Sequence, residues 1–168
     1  MMHENLFGVL VSHGSSTVPK YIVDEINALG GNIQNAYGIS IDELKAAIPC
    51  GIGKINVDTD IRLAVTRNMK EFFKNNPSKR DSASIGGVYQ LLEEKKDQFD
   101  PRAFLPPIMD TVMYGTIKDD DTAALVEVIE KGVKEAIGTL IVEFGSFGKA
   151  PLVEQVSLEE MIERYKKM

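Results

Sequence analysis

Leu6-Phe7-Gly8-Val9-Leu10-Val11-Ser12-His13-Gly14-Ser15-Ser16-Thr17-Val18-Pro19 is the stretch on which the fold turns. Its apolar part, Leu6 to Val11, is too short for a helix and does not alternate, so it predicts a buried strand of the parallel kind, covered on both faces. His13-Gly14-Ser15-Ser16 breaks the run, and Pro19 stands where a helix begins. Val18, Ile22, Ile26 and Leu29 then recur at helical spacing, and Gly30-Gly31 stops the pattern. One strand, one polar loop and one helix in that order make a strand–helix unit.

A second unit follows. Ser40 and Glu43 form a capping box for a short helix through Leu44, Ala47 and Ile48, which Pro49, Gly51 and Gly53 close. Lys54 to Val57 reads as a second strand. Asp58-Thr59-Asp60 supplies an acidic first turn for a helix whose apolar stripe is Ile61, Ala64, Val65, Met69, Phe72 and Phe73, ending near Asn75-Asn76-Pro77. Lys79 to Ser84 reads as a loop and Gly87 to Lys96 as a short charged helix. After Pro106-Pro107, Asp119-Asp120-Asp121 introduces the longest helix, in which Leu125, Val128, Ile129, Val133, Ala136 and Ile137 are in register. Gly145 to Lys149 is a turn, lacking the spacing of a phosphate loop. Ser157 and Glu160 cap a last helix through Met161, Ile162 and Tyr165. Two strands are too few for a self-sufficient sheet, and a doubly covered parallel strand needs neighbours.

The chain has 168 residues, 43% apolar and 26% charged, with a formal charge of −6. That balance excludes a disordered tail, a collagen-like fibre and a disulfide scaffold. The net sign disfavours nucleic acid and anionic membrane surfaces as partners, while leaving room for a small phosphorylated ligand. A single cysteine, Cys50, forms no intrachain disulfide and suits a reducing, cytoplasmic setting; it reads as a packed small residue. No basic leader or apolar span is expected.

Both polar clusters fall at the C-terminal end of a strand, where parallel α/β folds place their sites. His13 is metal-capable, and the amides after Gly14 with the hydroxyls of Ser15 and Ser16 can cradle an anion; the same residues also make an ordinary Gly-Ser turn. Asn56 and Asp58 share one side of the second strand end, and Asn56 can bond a ligand hydroxyl. Asp58 and Thr59 can equally cap the helix. Asp119 to Asp121 reads as a solvated helix cap rather than a calcium site.

Three segments, Val11 to Pro19, Lys54-Ile55-Asn56-Val57-Asp58-Thr59-Asp60-Ile61-Arg62-Leu63-Ala64 and Phe99-Asp100-Pro101-Arg102-Ala103-Phe104-Leu105, resemble three successive motifs of class II fructose-bisphosphate aldolases, in the same order. Residues 144–165 resemble the tail of the longer-tailed branch. The resemblance implies a zinc-dependent (βα)8 barrel that cleaves fructose 1,6-bisphosphate to dihydroxyacetone phosphate and glyceraldehyde 3-phosphate, of which this chain is the C-terminal part. It implies residues 1–76 as the last two strand–helix units, 77–98 as a surface insertion and 99–168 as a helical extension. His13 would be one of three zinc histidines. Gly14, Ser15 and Ser16 would hold the dihydroxyacetone phosphate group, completed by Asp58 and Thr59. Asn56 would contact the substrate near the bond that breaks, and Arg102 would reach the far phosphate in a neighbouring subunit. The cofactors implied are zinc and a monovalent cation, and the partners a sugar bisphosphate or triose phosphate and either further copies of the chain or a complementary N-terminal barrel fragment. Asp58 favours fructose over tagatose bisphosphate.

The family's catalytic aspartate and its other two zinc histidines have no counterpart in these residues, and nothing around His3 resembles a family motif. Two readings follow: a piece of a metal-dependent lyase that is inactive alone, or a non-catalytic module that binds phosphate or mediates assembly.

Overall fold

The computed structural model describes residues 10–153 and 155–167, so His3 and the first part of the Leu6–Val11 run lie outside the described residues. Within them the chain runs β1 (Leu10–Ser12), α1 (Lys20–Ala28), α2 (Ile41–Ala47), β2 (Ile52–Ile55), α3 (Thr59–Asn75), α4 (Gly86–Glu94), α5 (Met109–Tyr114), α6 (Asp120–Glu143) and α7 (Leu158–Lys166). The architecture is a helix-rich α/β fold with two parallel strands, β1 beside β2.

The second strand lies two residues earlier than Lys54–Val57. Leu10 pairs with Ile52 and Val11 with Lys54, so Gly53 is the extra residue of a bulge in β2. A glycine suits that place because it has no side chain to misdirect. Asn56 to Asp58 are then left to carry the chain into α3. The strands are not covered on both faces: Leu10 is 56% and Val11 51% exposed.

Three of the predicted helices, α2, α6 and α7, start on the predicted caps. Ser40 accepts from the Glu43 amide while the Glu43 carboxylate accepts from the Ser40 amide, completing the box at α2. Asp119 caps α6 by accepting from the Thr122 amide, and Ser157 caps α7 by accepting from the Glu160 amide. Ile22, Val23 and Ile26 of α1 bury against Leu63 and Ala64 of α3 and Ala136 of α6.

Further along α3, Val65, Met69 and Phe73 join a second cluster with Phe104, Leu105, Ile108 and Leu125. Fully burying each of the larger side chains contributes about 1.5–3 kcal/mol. Ile85, Val88 and Leu92, from the stretch expected to lie on the surface, also belong to this cluster. Their spacing puts one apolar face of this stretch inward, and the charged residues Glu93 and Glu94 follow, exposed, at the C-terminal end of α4. Cys50 is likewise exposed rather than packed, since the 3-10 turn Ile48–Cys50 lies on the outside.

α3 and α6 are the two longest helices and pack along one another. The contact is close because Gly132 has no side chain: a Cβ there would lie 2.8 Å from the Val65 Cα and 2.9 Å from its nitrogen. Backbone cannot step aside as a side chain can. Gly132→Ala is therefore expected to destabilise the chain by about 1–3 kcal/mol, despite alanine's better helix propensity. Gly138, on the same helix, would place its Cβ in open space. Gly138→Ala is expected to stabilise by about 0.5–1 kcal/mol. Urea midpoints of the two variants should move in opposite directions, and a common direction refutes the close packing at Gly132.

Candidate functional site at the strand ends

The parallel ladder continues past the strands. The Asn56 amide donates to the Ser12 carbonyl at 3.0 Å, and the Ser15 amide donates to the Asn56 carbonyl at 3.1 Å. These two bonds bring the loop after β1 against the loop after β2.

Within that junction the side chains divide into inward and outward sets. Ser15 is 0% exposed, with its hydroxyl bonded to that of Ser12, so it forms the floor of the loop and offers neither hydroxyl nor amide outward. His13 and Gly14 are exposed. The Ser16 Oγ accepts from the amides of Asp58 at 3.1 Å and Thr59 at 2.9 Å. Ser16 therefore caps α3 from another segment. Asp58 stands at the N-cap position but makes no capping bond with its own side chain. Asn56 is half-buried, and its Oδ1 accepts from the Lys54 Nζ at 2.7 Å.

The back of the loop is held by Asp60, a residue that the sequence marked only as part of an acidic helix turn. Its carboxylate accepts from the Thr17 amide at 3.0 Å, the Thr17 hydroxyl at 2.5 Å and the Val18 amide at 2.8 Å. Gly38 presses on the other side, where a Cβ would lie 2.3 Å from the Thr17 carbonyl carbon. Only glycine fits that approach. The Ile39 amide adds a bond to the Ser16 carbonyl at 3.1 Å.

A line of alternating charge leads from the loops to the third motif. Asp58 pairs with Arg62, Arg62 also pairs with Asp100, and Asp100 pairs with Arg102. The Arg102 guanidinium lowers the Asp100 pKa below its ordinary value, helped by the Arg102 amide and by Arg62 and opposed by desolvation. Asp100 in turn raises the pKa of Arg102, to which Asp58 adds a smaller contribution. Arg102 thus belongs to a network that reaches its own chain's Asp58. Lys54, Asp60, Arg62 and Asp100 lie inside the motif segments, yet the sequence assigns them no site role; their partners are supplied by the fold.

The family model described as class II fructose-bisphosphate aldolase matches residues 2–149. The chain is 33% identical over 156 residues to a fructose-bisphosphate aldolase of Stutzerimonas stutzeri, with 93% of this chain and 33% of that protein covered. It is 32% identical over 158 residues to one of Nostoc sp., covering 94% of this chain and 33% of the relative. A third, from Xanthobacter flavus, is 31% identical over 156 residues, covering 93% and 33% respectively. The chain belongs to the class II fructose-bisphosphate aldolase family. It spans about a third of the length of the curated relatives it matches. Its two-stranded helix-rich fold is consistent with part of the aldolase (βα)8 barrel.

Class II aldolases are zinc-dependent, and a catalytic zinc takes three protein ligands with one position left open. Among the described residues no group of three histidine, cysteine, aspartate or glutamate side chains could hold a metal ion. His13 is exposed at the strand end with no such company, so the described residues do not by themselves fit a zinc ion. No helix among them is long and apolar enough to cross a membrane.

The Asp100 pairing sets a pH dependence. Its folded-state pKa is depressed, so its contribution to stability is complete above the unfolded value and is lost as pH falls through the folded one. Arg102→Ala removes the largest cause, and the Asp100 titration followed by carboxyl NMR is expected to move upward toward the ordinary carboxylate range. An unmoved titration refutes the pairing.

Proposed function

We propose that the chain is the phosphate-holding part of a class II aldolase, serving the reversible cleavage of fructose 1,6-bisphosphate to dihydroxyacetone phosphate and glyceraldehyde 3-phosphate. The observation that carries this reading is the position of Ser16. Its oxygen accepts two amides, one from each of two successive residues at the start of α3. With both lone pairs used, the hydroxyl can only donate outward. What meets it must be an acceptor, and the amides of Gly14 and Ser16, which have no partner among the described residues, face the same requirement. The Thr59 hydroxyl adds a further donor at the N-terminus of α3, where the helix dipole favours an anion.

The roles of the remaining residues follow from their places. Ser15 supports the loop from beneath, and Asn56, held by Lys54, would meet a substrate hydroxyl beside the phosphate. Asp58 would bring a negative charge beside an anion, and Arg62, paired with it, offsets that charge. That leaves Asp58 able to accept from a sugar hydroxyl. Arg102 supplies a guanidinium suited to a second phosphate, in a neighbouring subunit's site if the chain assembles as the resemblance implies. His13 contributes one metal ligand, and the other zinc ligands, like the acid–base aspartate, come from outside these 168 residues. In this reading residues 1–76 are the last two strand–helix units of the barrel. Residues 77–98 are inserted between that part and the third motif, with α4 packed inward, and 99–168 form the helical extension. The setting is cytoplasmic.

The incomplete zinc ligand set favours a second reading, a non-catalytic module that keeps the phosphate loops. Assay of fructose bisphosphate cleavage separates the two. The chain alone with added zinc is expected to be inactive. Co-expressed with the N-terminal barrel region of a relative, it is expected to become active, and His13→Ala to lower kcat/KM by about 100-fold or more, the upper end of what loss of a mere outer-shell partner costs. Failure of every such pairing to give activity, with the chain still binding phosphate, would select the module.

A further inference from the structure

We propose that Asp60 is the positioning residue that sets which groups of the 13–18 loop face a phosphate. The proposal rests on the phosphate reading above and adds a residue that binds no substrate itself. Asp60 is 4% exposed, and its carboxylate is spent on the Thr17 amide, the Thr17 hydroxyl and the Val18 amide. A carboxylate in the first turn of a helix needs only solvent and the helix dipole to be satisfied. Burial against donors from another segment is a different arrangement, and those donors all belong to the loop.

The division of the loop amides shows what the arrangement does. Of the five amides from Gly14 to Val18, the Asn56 carbonyl takes that of Ser15, and Asp60 takes those of Thr17 and Val18. Gly14 and Ser16 remain. Asp60 thereby prevents Thr17 and Val18 from competing for the anion, and holds Ser16 close enough to α3 to cap it.

The backbone of Val18 points the same way. It is β-branched and not glycine, yet its φ is +48°. A valine adopts that conformation only where its surroundings impose it, and the bond from its own amide to Asp60 is the imposing contact. Removing Asp60 lets Val18 return to negative φ, which swings the preceding residues away from α3.

A discriminating sign follows. Asp60→Asn deletes a negative charge behind the loop, so plain electrostatics makes phosphate binding stronger. Positioning makes it weaker, because an amide cannot accept from both amides and the hydroxyl without turning a donor toward one of them. Titration of the chain with inorganic phosphate, followed by the amide resonances of Gly14 and Ser16, reads the difference. We expect saturable shifts in the wild type and at least tenfold weaker binding in Asp60→Asn. Val88→Ala, which destabilises the other cluster, should leave the affinity unchanged.

Thr17→Val removes only the hydroxyl bond and should weaken binding about threefold; it serves if Asp60→Asn does not fold. Affinity in Asp60→Asn equal to or above that of the wild type overturns the positioning role while the phosphate reading stands. An equal fall in Val88→Ala overturns it too, since general destabilisation would then be the cause. No binding by the wild type overturns the phosphate reading and the proposal with it.

Discussion

The packing of α3 against α6 is the constraint from which the rest of the structure follows. α3 has no other partner of comparable length, and its apolar stripe serves both hydrophobic clusters: Leu63 and Ala64 face α1, while Val65, Met69 and Phe73 face α4 and the 104–108 turn. Gly132 lets the two backbones meet, and the ends of α3 are fixed by that contact. The candidate site sits on the N-terminal end. Loops placed on the end of a helix whose body is fully packed inherit its rigidity, which is what precise recognition of an anion needs.

Electrostatics then act on a scaffold already set. The chain is acidic, and each carboxylate at this junction is handled differently. Asp60 is buried and saturated by loop donors. Asp58 is exposed and paired with Arg62, and Asp100 is shared between Arg62 and Arg102. The four charges Asp58, Arg62, Asp100 and Arg102 sum to zero, so the line that joins the second motif to the third carries no net charge. Charge-assisted bonds such as those to Asp60 contribute about 1.5–3 kcal/mol each, against a desolvation cost that only full pairing offsets. An exposed pair such as Arg102 with Asp100 is screened and contributes little to stability.

Local pattern carried much of the fold. The capping box at Ser40, the cap at Ser157, the stripe of α3 and its end at Asn75 were all legible, because each is decided by residues within one or two helical turns. Register was not. β2 begins at Ile52 because Gly53 absorbs a bulge against β1, and no single strand records its partner's spacing. The stretch around α4 looked like a surface element because it ends in the charged run Glu93 to Lys96; burial depends on which face is apolar, and Ile85, Val88 and Leu92 lie on one. At the candidate site the motifs marked segments that the fold brings together, yet Ser16 acts on α3, Ser15 turns inward and Asp60 holds the loop. Those roles depend on bonds between segments more than forty residues apart in sequence, which local reading does not reach.

The same limit explains the exposed strands. Leu10 and Val11 were read as doubly covered because their composition is that of an interior parallel strand, and that composition is real even though the described chain leaves them open. A two-stranded parallel sheet with apolar residues facing outward has the chemistry of a strand pair designed for company. The same holds for α7, whose Leu158, Met161, Ile162 and Tyr165 fall on one side and are all exposed. In the aldolase family a parallel strand gains its neighbours from the rest of the barrel, and this chain spans about a third of its relatives. The strand ends nonetheless keep their loops in order, because the bonds that hold those loops run to α3 and to each other. The loop geometry at the strand ends is therefore built from the part of the molecule whose packing is complete, while the outward faces of β1 and α7 stay open.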